Sequence, residues 1–294
     1  MMERSNSAFP YEEEMKRYNQ EVDHIALEGF RNLNHFVMDH TQKLCHEVSE
    51  LSKAIAKAIK EEFIVKDNGD EDKNKFADGA SANIILSSKR TYEAAKAYKG
   101  KKVAVLNFAN NHHVGGAPWS AGAQEECLCR ASTLYPCIAA KQQEFYDAHS
   151  NAYHQGQMDD YGNDDLIYTP GVIVFKTDES APKLMSKEDW YAVDVITCAA
   201  PQLGYFDERQ RSRFVEVMTM RIQKILQVAK KQGVEVLILG AFGCGAFNNP
   251  PVIVAKIFKE QLRIYHFETV EFAIYDRNPG PRSNYAIFTD VFRR

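Results

Sequence analysis

The chain has 294 residues, 45% hydrophobic and 26% charged, an ordinary globular balance that excludes a disordered chain. No apolar run approaches the roughly 20 residues that cross a bilayer, so no membrane span is expected. A formal net charge of −4 argues against a broad nucleic-acid surface, which would be basic; a polyanion would have to be met in a pocket.

Residues 11–65 repeat apolar side chains at helical spacing (Ile25, Phe36, Val37, then Leu44, Val48, Leu51, Ile55, Ile59) and predict two or three helices. The charged run 67–75 reads as a surface loop. Strands are expected at 84–86 and 103–108, with a helix near 92–98 between them. A helix after Glu125, strands at 171–176 and 193–197 and a helix over 208–231 follow. A strand at 234–239, a helix over 251–263 and a last strand at 270–275 complete the set. Alternation of this kind predicts an α/β fold with a mixed, largely parallel sheet. The expected organisation is an N-terminal helical extension over 1–75, packed on one domain over 76–294.

Two glycine loops carry the chemistry. The apolar run 103–108 is broken only by Asn107; after it come Asn110, then Gly115, Gly116 and Ala117, and then Gln124 with the adjacent carboxylates Glu125 and Glu126. Glycine lets backbone approach a ligand closely, and two carboxylates beside an apolar strand are costly unless used. The bland alternative is an acidic first helical turn, favoured by the helix dipole. The second loop, Gly240 to Phe247 with Gly243, Cys244, Gly245 and Ala246, joins an apolar strand to a helix. Asn248 and Asn249 read there as N-caps before Pro250 and Pro251. Free amides and a helix N-terminus suit a phosphate, although neither a Walker loop nor a dinucleotide fingerprint is present. Two such loops at strand ends imply one phosphate-containing ligand held between them.

Gly115-Gly116-Ala117, six residues, then Gln124-Glu125-Glu126 resembles the signature of poly(ADP-ribose) glycohydrolases. The loop 243–247 resembles the diphosphate loop of the same macrodomain-like fold, and the segments 106–110, 132–136, 166–175, 194–201 and 284–288 resemble the microbial-type branch. One departure is Ala117, where the family signature has a third glycine. The resemblance implies a three-layer α/β/α domain that hydrolyses poly(ADP-ribose) from the exposed end and releases ADP-ribose. Glu126 would be the general acid/base and Glu125 would hold ribose hydroxyls. Asn107, Asn110 and Gln124 would serve the distal ribose or the carboxylates, Phe247 would pack over the ribose, and Tyr285 is a candidate for stacking adenine. A non-catalytic ADP-ribose reader and a hydrolase of mono-ADP-ribosylated protein remain alternatives.

No cofactor is expected, and no metal, since none of the six cysteines forms a CxxC pair. A cysteine nucleophile at Cys127 or Cys129 lacks electropositive surroundings. The polar first 20 residues do not read as a secretory signal, so a cytoplasmic monomer with reduced cysteines is expected. Its partners would be ADP-ribose polymer or ADP-ribosylated protein, with neither membrane nor sequence-specific nucleic acid.

Overall fold

The computed structural model describes residues 9–66 and 82–293; the expected loop at 67–75 lies outside the described residues. Seven strands, β1 (Phe63–Val65), β2 (Asn83–Ser87), β3 (Val103–Phe108), β4 (Leu166–Val174), β5 (Tyr191–Cys198), β6 (Val236–Leu239) and β7 (Thr269–Ala273), form one sheet. Their order is β1-β4-β5-β3-β6-β7-β2, with β5, β3, β6, β7 and β2 mutually parallel and β4 antiparallel to both its neighbours.

Helices cover both faces. In β3, Ala104 and Leu106 join the apolar cluster of α8 (Arg211–Lys231), α9 (Pro251–Gln261) and α10 (Asn284–Arg293). Val103 and Val105 join that of α4 (Thr91–Lys96), α5 (Gln124–Ala131) and α6 (Leu134–Ala139). A strand covered on both faces needs a nearly continuous apolar run, which is why 103–108 reads as it does. The helices α1 (Tyr11–Glu28), α2 (Phe30–Glu47) and α3 (Ser49–Glu61) enclose a further cluster. Tyr18, Val22, Leu33, Val37 and Leu44 pack there with Phe175 and Leu184, so this cluster reaches the segment that follows β4. Among the described residues no helix is long and apolar enough to cross a membrane.

Several elements differ from the sequence expectation. β4 starts at Leu166, before Pro170-Gly171 rather than after it, because a bulge between Thr169 and Val172 absorbs the pair. The Gly171 amide freed there donates to Asp194 Oδ1 at 2.9 Å. The short strand β1 lies within the span read as helical. Besides α6 and α10, a helix α7 (Ala148–His154) was not anticipated. Each is too short for its period to be distinctive.

Candidate active site

The carboxyl ends of β5, β3, β6 and β7 converge on a cavity of about 410 Å³, lined by Phe108, Ala200, Ala241, Ala273, Ile274 and Tyr275 at or just past those ends. Open α/β sheets bind ligands at this edge, where strand-end loops and helix N-termini meet. The start of α5 faces the same space: Gln124, Glu125 and Glu126 all line it.

Gln124 fastens that helix to the sheet. Its Oε1 accepts from the Phe108 N–H (2.9 Å), and its Nε2 donates to the Leu106 carbonyl (2.7 Å) and to Thr91 Oγ1 (3.1 Å). The side-chain amide takes the place of a neighbouring strand where the pairing of β3 with β6 has stopped at Val105. These bonds make Gln124 the fastening of the helix that carries both glutamates. Asn107 is also turned inward: it is fully buried, and its Nδ2 donates to Glu125 Oε1 (3.2 Å) and Thr197 Oγ1 (3.3 Å). The Asn110 N–H donates to Glu125 Oε2 at 2.7 Å, while its side chain caps the turn to His112 and His113.

Glu125 is therefore held at both oxygens and is almost wholly buried at the cavity wall. Burial pushes its carboxyl up to about 8, against the pull of the Asn110 and Asn107 hydrogen bonds and with a further push from the charge of Glu126. At neutral pH it keeps most of its proton. Glu126 is held differently. Its Oε1 accepts from the Ala117 N–H at 3.1 Å, and its Oε2 is buried with no partner among the described residues. Gly116, at φ +68°, makes room for both: a Cβ there would stand 2.4 Å from Glu126 Oε1 and 3.2 Å from Glu125 Oε2. Ala117 has no positive φ, so the backbone does not demand glycine at the position where the signature departs. What the site uses at Ala117 is the N–H. Burial raises the thiols of Cys127 and Cys129, which leaves no thiolate nucleophile beside the pair.

The second loop forms the opposite wall through Gly243, Gly245, Ala246 and Phe247. Gly243 (φ +72°) is required by protein: its Cβ would lie 2.0 Å from Asn249 Nδ2 and 2.6 Å from Ala200 Cβ. A Cβ on Gly245, which lines the cavity, would meet no protein atom within 4 Å, so no packing within the protein requires glycine there. The N-cap expected at Asn248 or Asn249 is not found. Pro250 occupies the cap position, and the Asn249 N–H instead closes the loop onto the Gly243 carbonyl at 3.0 Å.

Tyr285 lies apart from the main cavity. The segment 284–288 opens α10, and while Asn284 reaches the main cavity, Tyr285 lines a separate one between β2, α9 and α10. The rings that line the main cavity are Phe108, Phe247 and Tyr275. Gly115, Gly116, Ala117, Asn107 and Cys244 frame the site without lining it. Arg90 and Arg277 line it and were missed. The Arg90 guanidinium sits 4.1 Å over the Tyr275 ring, a contact between residues 185 apart in number that no local pattern signals. Phe108 and Tyr275 were findable in principle as aromatics at the ends of apolar runs. Among the described residues no group of three or more His, Cys, Asp or Glu could hold a metal ion.

Residues 36–177 match the microbial-type poly(ADP-ribose) glycohydrolase catalytic domain. Among solved structures, the chain is similar to poly(ADP-ribose) glycohydrolase from Thermomonospora curvata bound to the inhibitor ADP-HPD. The identity is 29% and the TM-score 0.74, over 87% of this chain and 98% of that one. It is also similar to the Deinococcus radiodurans enzyme in complex with ADP-ribose, at 29% identity and TM-score 0.71 over 81% of this chain and 96% of that one. A search of curated proteins finds no match.

Proposed function

This chain belongs to the microbial-type poly(ADP-ribose) glycohydrolase family, and from that premise we propose that it cleaves ribose–ribose O-glycosidic bonds of poly(ADP-ribose) from the exposed end, with Glu126 as general acid/base. The observation that carries this reading is the asymmetry of the two carboxylates. Glu125 has both oxygens bonded to the strand-end loop, whereas Glu126 has one oxygen held by the Ala117 N–H and one free. Two carboxyl groups in different environments take different roles.

The diphosphate of the terminal unit lies against the second glycine loop, at Gly243, Gly245, Ala246 and Phe247. Glu126 gives its proton to the departing ribose oxygen as the glycosidic carbon–oxygen bond breaks. The oxocarbenium-like centre left behind is attacked by water, whose proton returns to Glu126, so atoms and charge balance over the cycle. Glu125, mostly neutral at pH 7, holds ribose hydroxyls, and Phe247 packs over the sugar. We take the enzyme to act as a cytoplasmic monomer; all six cysteines are unpaired, as a reducing compartment would keep them.

Glu126→Gln tests the assignment. It keeps shape while removing the transferable proton, so turnover of polymer falls by about 10²–10⁴-fold with ADP-ribose affinity retained. Near-wild-type turnover in that variant would show that another group is the acid.

A further inference from the structure

Arg130 lies one helical turn beyond Glu126 on α5, is 3% exposed, and among the described residues pairs with no carboxylate. A buried cation without a countercharge is costly unless its donors are used. Here Nη1 is spent on one loop, donating to the carbonyls of Pro118 and Ala121, each at 2.7 Å, while Nη2 reaches Cys127 Sγ on α5 itself at 3.4 Å. The same loop is gripped from the N-terminal helices. Asn34 of α2, 9% exposed, donates through Nδ2 to the carbonyls of Ser120 (3.2 Å) and Ala121 (3.1 Å). The Trp119 indole N–H donates to Asp39 Oδ1 at 2.7 Å. α2 is in turn seated on α5, with the Thr41 hydroxyl 2.6 Å from the Arg130 carbonyl.

The loop so held, 117–121, begins at the residue whose N–H is bonded to Glu126 Oε1, and the Ser120 and Ala121 amides fold back onto the Ala117 carbonyl at 3.0 and 2.8 Å. We infer that Arg130 and Asn34 are positioning residues for the reaction: from opposite sides they fix the turn that presents the Ala117 N–H, and through it the Glu126 carboxyl. Helix α2 is then part of the catalytic apparatus, although none of its residues lines the cavity. A misplacement of about 1 Å in a reacting group costs on the order of 100-fold in rate, so the grip of two side chains on one turn matters out of proportion to its exposure.

The inference rests on Glu126 as the acid and deepens that reading. The full chain is assayed as Arg130→Ala, Asn34→Ala and Glu126→Gln, measuring kcat and KM on poly(ADP-ribose). Both anchor variants lose about 10- to 100-fold in kcat with KM within about threefold, the signature of an interaction felt in the transition state. Guanidinium ion restores part of the Arg130→Ala loss where an equal concentration of sodium ion does not. If Arg130→Ala does not fold, Asn34→Ala carries the test by the same kcat-against-KM split. Wild-type kcat in a folded anchor variant overturns the anchoring, and so does a loss that appears in KM alone or, for Arg130→Ala, one that guanidinium leaves untouched. Glu126→Gln separates the two readings: wild-type turnover there overturns the acid assignment and the anchoring with it. Loss there beside wild-type kcat in the anchor variants overturns the anchoring alone.

Discussion

Gly243 and Gly245 sit two residues apart in one loop and answer to different masters, which makes their substitution a sharp test. An alanine at Gly243 would adopt a left-handed conformation costing roughly 1–2 kcal/mol. Its methyl group would also press on Asn249 and Ala200, which an ideal Cβ approaches to 2.0 and 2.6 Å. Overpacking adds about 1–3 kcal/mol, for a total of roughly 2–5 kcal/mol. At about 2 °C per kcal/mol, thermal unfolding should shift down by roughly 4–10 °C. Gly245→Val meets no protein atom at its Cβ and carries no such strain. Its stability should stay within about 0.5 kcal/mol of wild type. On the proposed reading its side chain enters the space of the diphosphate. Loss of one hydrogen bond to a charged group, worth about 1.5–3 kcal/mol, weakens ADP-ribose binding by roughly 10- to 100-fold or somewhat more. Thermal melts and calorimetric titration with ADP-ribose read the two effects separately. A Gly245→Val protein that binds ADP-ribose as tightly as wild type would place the ligand elsewhere, and an unshifted melt for Gly243→Ala would refute the packing argument.

Glu125 makes stability depend on pH. Its carboxyl is raised from 4.5 to about 8 in the fold, so the folded chain keeps a proton that the unfolded chain gives up. The resulting stabilisation is complete below about pH 4.5 and is lost as pH rises through about 8, and Glu125→Gln should flatten the fall in melting temperature over that window. Glu62, pushed up to about 7, titrates in the same range in both proteins, so the difference between the two curves is the measurement; parallel curves would refute the assignment. Ala117→Gly keeps the N–H on Glu126 and adds only unfolded-state freedom worth about 0.4–1 kcal/mol, so polymer hydrolysis should change by no more than about threefold. A wild type that binds ADP-ribose without hydrolysing it, and that this one change turns into an active enzyme, would mark the chain as a reader. Tyr285→Ala should leave ADP-ribose affinity intact in a titration, because the ring lines the other cavity; a marked loss would return Tyr285 to the binding site.

What was legible in the sequence was whatever local chemistry makes periodic or unusual. Val103–Phe108 and Val236–Leu239 announce themselves because buried parallel strands need unbroken apolar runs, and the Gly–Gly and Glu–Glu pairs because neither is cheap beside one. The functional meaning of individual polar residues was less legible. Asn107 and Gln124 read as ligands or as braces, and their bonds to Glu125, Thr197, Phe108 and Leu106 show the bracing, whereas Asn110, which the resemblance favours as a ligand, reaches Glu125 through its backbone N–H and lines the cavity. Side-chain direction at a helix start was not legible at all: Asn284 and Tyr285 are adjacent yet face different cavities. Arg130 carries no local sign of its role, since its partners Pro118 and Ala121 are backbone carbonyls whose identity leaves no trace in composition.

The proton kept by Glu125 bears on how an acidic protein admits an acidic polymer. The chain carries a formal charge of −4, and its proposed substrate brings two phosphate charges per unit, so long-range attraction does not steer the encounter. Two ionised glutamates at the cavity would add a local barrier at the point where the diphosphate must settle. With Glu125 neutral that barrier is lowered, beside Arg90 and Arg277, which line the same cavity. The site is thus made hospitable to anions by withholding a negative charge as well as by placing two arginines at its wall. Since the withheld charge returns as the solution becomes alkaline, polymer should bind less tightly as pH rises through about 8.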